Sequence, residues 1–327
     1  MRWLIYALGG GLGHLTRSVA LARAAGRRGV QCTILTNSPF ARCLPVTNEL
    51  NLADRLIIIP PEFDREATAA RIGAILTEIE FDLLVVDTFP RGLGGELVDI
   101  LPSVVVPKAL VHRDLNPHYV ESYQLSEFVK SYDCLLLPGE SGPLESHPAA
   151  VRTEPWLIRD ADELLPRSAA RHELLGRVAD DIPIVLVMGS GRTEEIDQMH
   201  QLADWLRERL VTQAHVCFSS PVGDEDRQRA AWPVFGLYAG VDVLIGAGGY
   251  NTVSEARATQ TPLLAFARQR LYDRQQVRLT ELEQVADRDE LLLRLQATLA
   301  GTQSPGEQID FRNGTHQAID VLTALLQ

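Results

Sequence analysis

The chain alternates short, almost uninterrupted apolar runs rich in β-formers with segments of helical period, and this alternation restricts it to architectures built on parallel sheets. Residues 3–8, 30–36, 55–59, 82–87, 109–112 and 134–137 read as strands, several of them apolar on both faces, as strands covered on both sides by helices must be. Between the first two, Leu15, Val19, Ala22 and Gly26 recur at helical spacing, and Arg27-Arg28-Gly29 closes the helix. Such a succession predicts a doubly wound α/β domain. A second alternation covers 183–188, 214–218, 242–245 and 262–266, a strand or two short of a full nucleotide-binding domain. The Pro-rich, aperiodic stretch 141–156 between them reads as a linker. At the end of the chain, Ala318, Val321, Leu322, Leu325 and Leu326 share one helical face.

The 327 residues suffice for two domains, each with its own core. A net charge of −12 argues against general binding to a nucleic-acid backbone, which takes clustered Lys and Arg. No apolar run reaches the ~20 residues of a membrane span, and the first residues run directly into a strand pattern, so neither a span nor a signal peptide is expected. Cys32, Cys43, Cys134 and Cys217 lack metal-ligand spacing, and all but Cys43 fall in apolar strands. Reduced thiols in a cytoplasmic protein are the expectation.

Four glycine-containing or polar segments carry the candidate chemistry. Gly246-Ala-Gly-Gly-Tyr-Asn-Thr-Val-Ser-Glu255 reads as a strand end, a turn and a helix start. Turn amides and the positive end of a helix suit an anion, which makes Gly248, Gly249, Asn251 and Thr252 candidates for a diphosphate. Glu255, one turn further on, suits a ribose diol, although an exposed glutamate paired with Arg257 or Arg274 is the bland alternative. In Asp273-Arg-Gln-Gln276, Gln275 and Gln276 suit sugar hydroxyls; adjacent helical residues point about 100° apart, so one of the two carries the contact. Met188-Gly-Ser-Gly-Arg192 repeats the strand–glycine–helix pattern and offers Gly189, Ser190, Gly191 and Arg192 to the same diphosphate.

The fourth segment, Gly9-Gly-Gly-Leu-Gly-His14, follows the first strand. It is not a dinucleotide fingerprint, because the third glycine position holds His14 and the second strand ends without a carboxylate for an adenosine ribose. Gly10, Gly11, Gly13 and Arg17 border His14, a residue suited to proton transfer, to a phosphate contact or to helix capping. Asp87 and His112, each at a strand end, are acceptor-side candidates, with helix capping the alternative for Asp87. Gly223-Asp-Glu-Asp226 has the look of a metal clamp but reads as a solvated acidic turn, and no metal is expected.

Thr252-Val-Ser-Glu255 and Asp273-Arg-Gln-Gln276 resemble the donor-binding motif of the MurG-like glycosyltransferases (family 28), with support from the two remaining glycine loops. The type member of that family moves N-acetylglucosamine from a UDP carrier to a lipid-linked acceptor. The resemblance implies the GT-B fold: two doubly wound Rossmann-like α/β domains facing across a cleft, with a C-terminal helix crossing back to the first. It divides the chain into an acceptor-side domain at 1–154, a donor domain at 155–308 and the crossover helix at 309–327. It further implies an inverting transfer from a UDP-sugar or related donor without cofactor or metal, with His14 as the catalytic group. The acceptor is open: a small molecule, a glycan or a lipid-linked compound met by peripheral membrane contact. The first loop departs from the family's glycine–threonine–glycine–glycine–histidine run, and no membrane-docking apolar patch stands out. The run from Gly11 to Arg17 also resembles the opening of nucleotide-sugar hydrolases of the pseudaminic acid pathway, which leaves hydrolysis, or nucleotide-sugar binding without chemistry, as alternatives.

Overall fold

The computed structural model describes residues 1–177, 181–221, 232–301 and 309–327. The acidic turn at 223–226 lies outside the described residues. The chain divides into two compact units, the first comprising Met1–Ile158, Leu271–Asp273 and Asn313–Gln327, the second Arg159–Arg270 and Arg274–Arg312.

In the first unit, β1 (Arg2–Ala7), β2 (Gln31–Thr36), β3 (Arg55–Ile58), β4 (Leu83–Asp87), β5 (Lys108–Val111), β6 (Cys134–Pro138) and β7 (Ala150–Thr153) form one parallel sheet in the order β3-β2-β1-β4-β5-β6-β7. Its helices are α1 (Leu12–Gly26), α2 (Arg65–Glu78), α3 (Pro117–Ser122) and α4 (Leu125–Phe128). The central strands are buried on both faces: Trp3, Leu4, Ile5 and Tyr6 of β1 and Leu83–Val86 of β4 are almost without exposure. That explains their unbroken apolar sequence. The stretch expected to be a linker contains β7 instead. An edge strand is half covered, so its Ala-Val-Arg-Thr sequence carries no apolar run to announce it.

The second unit contains α5 (Arg167–Leu175), β8 (Ile184–Met188), α6 (Thr193–Arg209), β9 (His215–Ser219), β10 (Val243–Ala247), α7 (Tyr250–Ala258), β11 (Leu263–Phe266), α8 (Gln275–Arg278) and α9 (Arg288–Gly301). Its described strands form a parallel sheet in the order β11-β10-β8-β9, as short as the sequence suggested.

The terminal helix α10 (Gly314–Ala324) packs on α1 and β7 of the first unit. Asn313 fixes its entry: Oδ1 accepts from the Leu157 N–H at 3.1 Å and the Thr315 N–H at 3.2 Å, while Nδ2 donates to the Leu157 carbonyl at 2.8 Å. Ala318, Ile319 and Leu322 form its buried face. Val321, Leu325 and Leu326 are half-buried, and Ile319 takes the place their pattern left open.

Both sheets reverse strand order once among the described residues, between β1 and β4 and between β8 and β10. Ligands of open α/β sheets bind outside the carboxyl ends of the strands at such reversals. The glycine turns after β1, β8 and β10 all lie there.

Candidate active site

In the first unit the turn after β1 is built around a close approach. A Cβ on Gly9 would come within 2.2 Å of the His14 ring, so only glycine lets the imidazole lie over the strand end. The Gly9 and Gly10 amides both donate to Asn37 Oδ1 at 2.9 Å, which ties the turn to the end of β2. Gly11 caps α1 without a side-chain acceptor. Gly13 is exposed beside it.

His14 Nδ1 lies 2.6 Å from Asp87 Oδ2, across the reversal at the end of β4. Arg17, one turn further along α1, donates to the same carboxylate through Nε at 2.7 Å to Oδ1 and through a terminal nitrogen at 2.7 Å to Oδ2. The same terminal nitrogen reaches Thr88 Oγ1 at 2.9 Å, and the Thr88 hydroxyl donates to Asp87 Oδ2 at 3.2 Å. Thr88 has φ +67°, a left-handed conformation costly for a β-branched residue and held here by its surroundings. Asp87 is 1% exposed. Burial by itself would raise its pKa, but the Arg17 and His14 charges and their hydrogen bonds outweigh it and hold the carboxyl below the usual range. An ionised Asp87 accepts from Nδ1–H, so an imidazole with a single proton carries it there and keeps its lone pair on Nε2. The imidazole stays 18% exposed and stacks on Phe89 at 5.5 Å. Phe89 in turn meets the edges of Tyr119 and Tyr272, and Tyr119 lies against Tyr123.

The sequence offered His14, Arg17 and Asp87 as separate candidates; the fold joins them. Arg17 is buried against Asp87. His112 is buried as well: its Nε2 accepts from the Leu144 N–H at 3.2 Å, and burial, with Arg113 beside it, lowers its pKa to about 4. Its Nδ1 has no hydrogen-bond partner.

In the second unit, the turn after β10 opens on α7 with Gly249 as N-cap, no side-chain acceptor and no acidic residue in the first turn. The Gly248 amide is taken by the Phe266 carbonyl at 3.1 Å, and its own carbonyl accepts from Arg278 at 2.7 Å. Asn251 and Thr252 are half-buried on the first turn of α7. The turn after β8 is closed differently. Glu195 Oε2 accepts from the Arg192 N–H at 2.9 Å, and Arg270 grips both Glu195 oxygens at 2.5 and 2.8 Å. Gly191 has φ +102°, and a Cβ there would meet Glu195 at 2.0 Å, so glycine is required for the carboxylate to fold back. The Gly189 amide donates to the Ser219 carbonyl at 2.8 Å, Ser190 is half-buried, and the Arg192 side chain is exposed.

Glu255 is 8% exposed. Burial lifts its pKa to about 8; the Tyr238 hydroxyl beside it pulls the other way but makes no hydrogen bond of ordinary geometry. Gln275 is buried, and its Oε1 accepts from the Arg268 N–H at 2.9 Å, which leaves its amide nitrogen for other contacts. Gln276 is exposed. Asp273 belongs to the first unit, where it lies 3.9 Å from Arg113.

No family model matches the chain, and no curated protein does. Solved structures do match it along its whole length. The glycotransferase of kitacinnamycin has a TM-score of 0.64 at 13% identity, covering 100% of this chain and 99% of that one. The glycosyltransferase SnogD from Streptomyces nogalater has 0.58 at 14%, covering 100% and 99%. The glycosyltransferase VinC, in complex with dTDP, has 0.56 at 15%, again covering 100% and 99%.

The fold is GT-B.

Identities this low speak for fold alone. Within GT-B, the β1 turn and the end of β4 supply the His14–Asp87 pair, and the turns after β8 and β10 supply the helix starts of the second unit. Sequence reading missed Phe89, Glu195, Tyr238 and Arg270. Only the position of Asp87 at a strand end gave a local signal for the pairing. Among the described residues no group of His, Cys, Asp and Glu has the arrangement of a metal site, and no helix is long and apolar enough to cross a membrane.

Proposed function

We propose that the chain is a nucleotide-sugar glycosyltransferase that moves a sugar, with inversion, from a UDP-type donor to an acceptor hydroxyl. The observation that carries this reading is the 2.6 Å contact between His14 Nδ1 and the ionised Asp87, which leaves Nε2, on a ring 18% exposed, to take a proton. His14 removes the proton of the acceptor hydroxyl as that oxygen attacks the anomeric carbon; the bond from that carbon to the diphosphate oxygen breaks, and the diphosphate leaves with the electron pair. Asp87 holds the imidazole in the right tautomer and offsets the imidazolium charge, as the carboxylate does in Ser-His-Asp triads. The Tyr119, Tyr123 and Tyr272 rings near His14 offer the acceptor an apolar face.

The second unit supplies the donor contacts. Amides at Gly249, Asn251 and Thr252 meet the leaving diphosphate, a role that helix starts fill without a metal ion. Gly189, Ser190, Gly191 and Arg192 contribute less, because Glu195 already holds the Arg192 amide. Glu255 takes the ribose diol, and the exposed Gln276, with the amide nitrogen of Gln275, takes the sugar. The MurG-like motif favours uridine; the dTDP found in VinC makes thymidine the first competitor to test.

The test is turnover of a panel of UDP- and dTDP-sugars, with nucleoside diphosphate and free sugar measured together, with and without phenolic and sugar acceptors. Acceptor-dependent release that survives EDTA and disappears in His14→Gln supports the reading. Equal release of free sugar without any acceptor would make the protein a hydrolase, with water in the acceptor's place. Full activity in His14→Gln would remove the base assignment.

A further inference from the structure

The His14–Asp87 pair is not isolated. Asp87 receives donors at both oxygens, and two of them come from Arg17, whose side chain is 1% exposed. Since His14 and Arg17 lie three residues apart on α1, one helix face presents a base and a fixed cation to the same carboxylate. The left-handed Thr88 backbone sets a hydroxyl between Arg17 and Asp87, closing the cluster. Among the described residues, the groups contacting His14 are Asp87 at the end of β4, the Phe89 ring and the Gly9 backbone; Arg17 is the charge next beyond Asp87.

A carboxylate that serves an imidazole alone gives it its full negative charge and favours the imidazolium. A carboxylate already forked by a guanidinium gives less, because the two cations compete for the same oxygens. We propose that Arg17 is a positioning residue for His14: by taking both oxygens of Asp87 it fixes the plane of the carboxylate and withholds part of its charge from the imidazole, so that Nε2 releases its proton as readily as it takes one. This rests on the reading of His14 as the base, but it makes a claim about His14 that holds whether the acceptor is a hydroxyl or water.

The experiment compares the parent protein with Arg17→Met and Arg17→Lys, each checked for folding by thermal melt. The His14 imidazole is followed by carbon-edited NMR across pH, its signal identified by its loss in His14→Gln, and kcat and KM are measured over the same range. Arg17→Met is expected to move the His14 titration midpoint upward by roughly 1 unit or more, the acid limb of the rate profile moving with it. Arg17→Lys keeps the charge but not the fork; its midpoint stays near the parent's, while kcat falls and the donor KM holds. Should Arg17→Met fail to fold, Arg17→Gln, neutral and able to donate to Asp87, carries the same expectation. A midpoint unmoved or lowered in the neutral variant, or moved equally in Arg17→Lys, overturns the proposal. The NMR titration needs no turnover, so failure of the transferase reading would show in the His14→Gln assay and leave this result standing on its own.

Discussion

Among the described residues each sheet reverses its strand order once, and the two reversals treat a buried carboxylate in opposite ways. Where β1 meets β4, Asp87 is forked by Arg17, faces His14 and stays ionised. On the helix that leaves β10, Glu255 is also buried, but no cation among the described residues accompanies it and its pKa rises to about 8. Burial costs each of them its hydration; the neighbour decides whether the charge survives. The consequence is a division of chemistry. An ionised carboxylate can only accept, which is what orienting an imidazole takes, whereas a neutral one both donates and accepts, which suits a pair of hydroxyls.

The strongest test of this contrast is Asp87→Asn. The shape is kept and the charge removed, so His14 loses what fixes its tautomer and Arg17 is left buried without its counter-charge. In the folded fraction, kcat/KM is expected to fall on the order of 10³–10⁴-fold, by analogy with the same change in a Ser-His-Asp triad. Denaturant melts should show a loss of about 3–5 kcal/mol. Retained turnover would take the carboxylate out of the reaction. Glu255→Ala comes next. On the proposed ribose role, this change should weaken nucleoside diphosphate binding by about 10–100-fold in calorimetry. Unchanged affinity would make Glu255 a core residue only.

The pH dependence of stability separates the pair without any ligand. Glu255 has a folded pKa raised above the ordinary carboxyl value. The folded state therefore holds a proton that the unfolded chain has released, and stability declines as pH climbs from about 4.5 to about 8, levelling off beyond. Denaturant midpoints for Glu255→Gln should lack this decline, which amounts to a few kcal/mol on the order of the shift. Asp87 has the opposite sign. Its folded pKa is depressed, so its contribution is complete above the unfolded value near 4 and is lost as the medium becomes more acid. A Glu255→Gln protein with the parent's profile up to pH 8 would mean that Glu255 is ionised in the fold, and the contrast would collapse.

How much of this the sequence disclosed follows from the range of the interactions. Central strands such as β1 and β4 were legible because double-sided burial writes an unbroken apolar run. The glycine turns were legible because backbone approach restricts residue type locally. The edge strand β7 was not, since a half-covered strand obeys no such rule. His14 and Asp87 stand 73 residues apart, and only the strand order brings them together. Glu255 lies beside Tyr238, in a 3-10 helix at Val234–Gly240 whose sequence says nothing of what it packs against. The motif marked Glu255 without revealing its protonation state.

The smallest expected effect concerns the turn after β8. Glu195 occupies its amide and is itself held by Arg270, so an incoming phosphate meets a place already filled by a carboxylate. Ser190→Ala and Arg192→Ala should each weaken nucleoside diphosphate binding by only about 3-fold or less, well under the loss in Glu255→Ala. A loss as large as that of Glu255→Ala would mean that Glu195 yields to the phosphates and that Arg270 passes from the carboxylate to the ligand. The second reversal would then also set charge against charge, only later, when the donor arrives with the anion that Asp87 supplies permanently in the first.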